Sequence, residues 1–66
     1  MKAVVNGQPV ELEGSKLTSV FSELGLKDLR GVAVAVDQQI VPRSSWEAFE
    51  LQEGTRVEVL HAVQGG

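Results

Sequence analysis

Thr55-Arg56-Val57-Glu58-Val59-Leu60-His61-Ala62-Val63-Gln64-Gly65-Gly66 is the stretch on which the fold depends. From Thr55 to Val63, Val57, Val59, His61 and Val63 alternate with Arg56, Glu58, Leu60 and Ala62, the period of two that belongs to a half-buried strand. No other strand-like run in the chain is as long. It leads into two glycines, so the chain reads as a domain over 1–63 and a flexible tail over 64–66. The group presented at the tip is the α-carboxylate of Gly66.

Working back from this strand, Glu53-Gly54 reads as the turn that feeds it. Ser44-Ser45-Trp46-Glu47 has the spacing of a capping box, with Ser44 and Glu47 bonding reciprocally ahead of one helical turn over Trp46 to Phe49. Ile40-Val41 forms a very short strand stopped by Pro42, after a turn at Asp37-Gln38-Gln39. Val32, Val34 and Val36 alternate with Ala33 and Ala35, a run apolar on both faces that predicts a central strand covered on at least one side. The alanines leave room for something else to pack.

The first half supplies the remaining elements. Leu17, Val20, Phe21 and Leu24 recur at helical spacing, with Thr18 as expected N-cap and Gly25-Leu26 as the ending. So short a helix is stable only against a sheet. Lys2 to Val5 and Pro9 to Glu13 flank Asn6-Gly7, a pair suited to a type I′ hairpin turn. The order strand, strand, helix, strand, short strand, helical turn, strand predicts an α+β fold: a mixed sheet with one main helix packed across it.

Composition narrows the function. Sixty-six residues with no cysteine and one histidine allow one small core held by packing, with no disulfide or zinc site, and leave little room for an internal catalytic cleft. A net charge of −3 argues against nucleic acid or an anionic membrane as partner, since both are bound through clustered Lys and Arg. No apolar run approaches the ~20 residues of a membrane span, and the N-terminal run is too short for a signal peptide. The expected location is the cytoplasm.

The order of elements, closing on Gly65-Gly66, is similar to the ubiquitin-like β-grasp fold. Val32-Ala33-Val34-Ala35-Val36-Asp37-Gln38-Gln39-Ile40-Val41-Pro42-Arg43 with Ser44-Ser45-Trp46, then Leu51 to Leu60 and the closing Ala62-Val63-Gln64-Gly65-Gly66, resemble the ThiS family of sulfur carriers in thiamin biosynthesis. Gln64 stands where many relatives carry another glycine. The molybdopterin carriers of the wider family, with a longer helical middle, match less well.

The resemblance implies a protein co-substrate rather than an enzyme. A ThiF-like adenylyltransferase, using ATP and Mg, would activate the carboxylate of Gly66. A sulfur-donor protein would convert it to a thiocarboxylate, and a ThiG-like thiazole synthase would consume the sulfur. The carrier itself would bind no cofactor or metal. The chemistry suits the residues: an α-carboxyl group is ionised at neutral pH and can attack a phosphate, and Gly65, without Cβ, gives the tail clearance in a narrow channel. Arg56, Glu58, Leu60, Ala62 and Gln64 are the candidate partner-binding residues, because apolar side chains among charges resemble a docking patch. His61 reads as a packed or surface strand residue, Trp46 and Phe49 as the closure of one end of the core, and Pro42-Arg43 as a solvent-facing strand end. A ubiquitin-like modifier joined to lysines through Gly66, and a β-grasp module binding nucleotide or RNA without covalent chemistry, are the alternative readings.

Overall fold

The structure, a computed structural model, describes residues 1–61. Strands β1 (Lys2–Val5) and β2 (Gln8–Glu11) form an antiparallel hairpin. Asn6 and Gly7 join them at φ 50° and 82°, both positive as a type I′ turn requires. Helix α1 (Thr18–Leu24) follows, then β3 (Val32–Val36), β4 (Gln39–Ile40), a 3₁₀ turn at Arg43–Ser45 and β5 (Arg56–His61). The strands form one sheet in the order β2-β1-β5-β3-β4. β1 runs parallel to β5, and every other neighbouring pair is antiparallel. The expected mixed sheet with one helix is therefore present, and β5 occupies its middle.

One face of the sheet builds the core. Ala3, Val5, Val32, Val34, Val36, Val57 and Val59 are buried together with Leu17, Val20 and Phe21 from the helical side and with Trp46 and Leu51. Strand alternation explains which residues of each strand take part. The buried Trp46 indole packs against Phe21 with ring centroids 5.1 Å apart and donates Nε1–H to the carbonyl of Val41 at 2.8 Å. It thus closes one end of the core, as expected, with half-buried Phe49 beside it.

Several local expectations are corrected. Leu17, not Thr18, precedes the helix, and it makes no side-chain cap bond. Leu17 is fully buried and its N–H is tied to the carbonyl of Phe49, so tertiary packing sets the helix start where a polar cap was expected. Leu24 is exposed at the far end of the helix, since only two turns are present and the stripe drifts off the sheet. Gly25 does end the helix, at φ 72°, while Leu26 N–H returns to Phe21 and Gly25 N–H to Ser22, the paired bonds of a Schellman ending. The Ser44–Glu47 capping box does not form. The 3₁₀ turn starts after Pro42 without a side-chain cap bond, and 46–48 is a turn rather than helix. β2 ends at Glu11 and not Glu13, although Leu12 remains buried and its N–H reaches the carbonyl of Met1. The expectation for β3 holds: it is an interior strand between β5 and β4, covered on its valine face and open on the Ala33 face.

Asp37 joins the β3–β4 turn to the start of β5. It and Gln38 carry positive φ, 49° and 72°. Its carboxylate accepts Arg56 N–H at 3.0 Å and the hydroxyl of buried Thr55 at 2.8 Å. The backbone bond from Arg56 and then the Thr55 hydroxyl hold its pKa below the usual carboxylate value. A lowered folded-state pKa means that the stabilisation is complete above the unfolded value of about 3.9 and lost as pH falls through the folded one. Asp37→Asn, which keeps an acceptor but cannot titrate, should therefore lose less stability than the parent between pH 5 and the acid range. Urea melts at a series of pH values measure this, and parallel acid profiles would refute it.

Candidate functional site

The middle strand carries the candidate site. β3 holds β5 on one side over the full register from Val32 opposite His61 to Val36 opposite Val57. β1 holds it on the other side, with Val4 and Val5 opposite Arg56 and Val57. Val57 and Val59 turn into the core, so Arg56, Glu58 and Leu60 project from the opposite face and are exposed. The structure therefore brings together three of the expected partner-binding residues. Ala62, Gln64, Gly65 and Gly66 lie outside the described residues, as does the boundary between domain and tail.

Residues directly opposite across strands share a face. Ala33 is opposite Leu60, Ala35 opposite Glu58, and Ile40 opposite Ala35. Leu60 and Ile40 are 69% and 74% exposed, and the alanines between them expose only small side chains. The result is an apolar strip running from β5 across β3 to β4 and edged by Arg56 and Glu58. Ile40 was missing from the expected patch, because two residues of strand after a turn carry no facing information until they are paired. Ala33 and Ala35, expected to admit a packing neighbour, are the low middle of this strip.

A cleft of about 420 Å³ on the helical side is lined by Phe21, Leu29, Arg43 and Trp46, among others. Its one cation is already engaged, since the Arg43 guanidinium lies 4.9 Å from the Trp46 ring centroid and donates to the carbonyl of Leu29 at 2.6 Å. No group of three or more His, Cys, Asp or Glu among the described residues is placed to hold a metal. His61 is an exposed strand residue. No described helix is long and apolar enough to cross a membrane.

A five-stranded mixed sheet with one helix across it and the last described strand in its middle defines a ubiquitin-like β-grasp domain. The ThiS family model matches residues 3–66, and the chain belongs to the ThiS family. The sulfur carrier protein ThiS of Thermus thermophilus is 37% identical over 62 residues, 94% of this chain and 95% of that protein. A thiazole synthase of Paramagnetospirillum magneticum is 34% identical over 67 residues that take in this whole chain but only 20% of the relative. The crystal structure of the thiamine biosynthesis protein ThiS from Geobacter metallireducens superposes with a TM-score of 0.79 at 28% identity, over the full length of both chains.

Proposed function

We propose that the chain is a sulfur carrier for the thiazole part of thiamin, and that its working group is the carboxylate of Gly66. The observation that carries this reading is the match to the ThiS family through the terminal Gly65-Gly66, on a fold whose middle strand leads toward that end. The carboxylate oxygen attacks the α-phosphorus of ATP in a partner adenylyltransferase, with Mg on the phosphates, and the bond to pyrophosphate breaks. Hydrosulfide, released at the sulfide level by a donor protein, then attacks the acyl carbon, the C–O bond to AMP breaks, one proton is lost, and the terminus becomes a thiocarboxylate. Partner enzymes supply the charge stabilisation that each step requires, so the carrier needs no catalytic side chain. The likeness to a fifth of a thiazole synthase supports a ThiG-like enzyme as the acceptor of the sulfur.

Docking is assigned to the strip of Leu60, Ala33, Ala35 and Ile40 with Arg56 and Glu58 beside it. An apolar centre with a charged edge has the anatomy of a protein interface, and it begins on the same strand that leads to the tail. Incubation with ATP, the adenylyltransferase and a sulfur source should exchange one oxygen for sulfur, seen by intact-protein mass. In the same assay Leu60→Asp should raise the KM for the carrier about thirtyfold, the scale of an interface hot spot, without altering its melting temperature. An unmodified mass with demonstrably active partners would refute the carrier reading, and an unchanged KM would refute the docking face. Isopeptide adducts on lysine, or exclusive use by molybdopterin enzymes, would favour the other β-grasp readings.

A further inference from the structure

The hairpin turn does more than reverse the chain. In a parallel pair every second residue of a strand donates to one carbonyl of its neighbour and accepts from the N–H two residues further on. Val4 N–H donates to Thr55 and Asn6 N–H to Val57, both at 2.9 Å, so the next rungs fall to Val59 N–H and Val59 C=O. β1 cannot supply them, because Asn6 takes φ 50° and the backbone turns away into the hairpin. The Asn6 side chain supplies both. Its Oδ1 accepts Val59 N–H at 2.9 Å and its Nδ2 donates to Val59 C=O at 3.3 Å. The carboxamide thus takes the place of a backbone peptide and extends the β1–β5 ladder by one residue.

We propose that Asn6 is the positioning residue that fixes the exit of β5 toward the reactive terminus. This rests on the reading of Gly66 as the modified group. Both main-chain polar groups of Val59 go to Asn6, so Val59 is the last described residue of β5 bonded on the β1 side, while β3 pairs with the strand as far as His61. Leu60, the exposed apolar docking residue of the strand, follows immediately. Clamping Val59 fixes the β1 side of the strand one residue before Leu60, beyond which β3 alone pairs with it, and so sets the course on which the strand leaves the sheet. An aspartate in this position would keep the acceptor for Val59 N–H but set a second carboxylate oxygen against Val59 C=O. Serine or alanine would reach neither group. Only a carboxamide of this length provides one donor and one acceptor at peptide spacing.

Asn6→Gly is the discriminating substitution, because glycine keeps the positive φ of the turn and removes only the amide. Amide hydrogen exchange at Val59 should accelerate about tenfold, as loss of one or two such bonds would give, while Val4 N–H, bonded to Thr55, stays as protected as before. The KM for the carrier in adenylation should rise about fivefold at unchanged kcat, since an exit that must be ordered on binding weakens docking rather than chemistry. Asn6→Asp, which also tolerates the turn, serves as second variant and should raise KM without freeing Val59 N–H. Unchanged exchange at Val59 in Asn6→Gly would overturn the ladder. Uniformly faster exchange with an unmoved KM would overturn the positioning role and leave a contribution to global stability alone. If the parent chain is not adenylated at all, the reading of Gly66 falls, and Val59 exchange still decides whether Asn6 holds the strand.

Discussion

Deletion of Gly66 is expected to abolish sulfur loading while leaving the melting temperature unchanged. The two readouts separate because Gly66 has no side chain to bury, and among the described residues the buried set ends at Val59 and the last strand at His61. Deleting one residue leaves a carboxylate, now on Gly65, but sets it back by roughly 3.5 Å along an extended chain. Reaction rates are far more sensitive than that, since misplacement of a reacting group by about 1 Å can cost a hundredfold. The adenylation rate of the shortened chain should therefore fall by at least about a hundredfold. Adding one alanine after Gly66 should do the same for a different reason, because the carboxylate is then displaced outward and carried on a residue with a Cβ. Thermal melts of all three chains, set beside single-turnover formation of the acyl adenylate, make the comparison. Equal adenylation rates would mean that the terminus is not the reacting group.

Legibility in the sequence followed how local the cause of each feature is. The hairpin was readable because Asn6-Gly7 and the flanking alternation lie within a few residues, and both turn residues do adopt positive φ. The helix ending was readable for the same reason, since Gly25 and Leu26 complete a motif whose bonds reach back only to Phe21 and Ser22. The start of the helix was not. Thr18 looked like a cap by residue type, but the helix begins where buried Leu17 hangs from the carbonyl of Phe49, a partner far along the chain. Ser44 and Glu47 had capping spacing, yet Trp46 anchored to Val41 dictates the geometry there. The candidate site divides in the same way. Arg56, Glu58 and Leu60 could be placed on one face from alternation alone. Ile40 joins them only through pairing with Ala35, and Asn6 meets Val59 only because β1 and β5 are neighbours across nearly the whole chain.

The largest loss of stability is expected from Trp46→Ala. The chain has a single small core, and stability of about 0.05–0.15 kcal/mol per residue gives a 66-residue domain only some 3–10 kcal/mol in total. Truncating a buried tryptophan to alanine costs about 3–5 kcal/mol, so this one change removes a large part of what holds the fold. The burial of Trp46 and two of its contacts place it toward the upper end. It is 4% exposed, its ring packs against Phe21, and its Nε1–H satisfies the buried carbonyl of Val41. At about 4–8 °C per kcal/mol for a domain of this size, the melting temperature should fall by roughly 12–40 °C, followed by far-ultraviolet circular dichroism because the indole itself is gone. Trp46→Phe separates packing from bonding. It keeps an aromatic neighbour for Phe21 but leaves the Val41 carbonyl without its donor, a loss of about 1–3 kcal/mol. If the two variants melt together, the hydrogen bond to Val41 rather than the bulk of the ring holds this end of the core. If neither moves, Trp46 does not close the core. Because the proposed docking strip faces away from this core, Trp46→Phe should still be adenylated at the parental rate below its melting temperature.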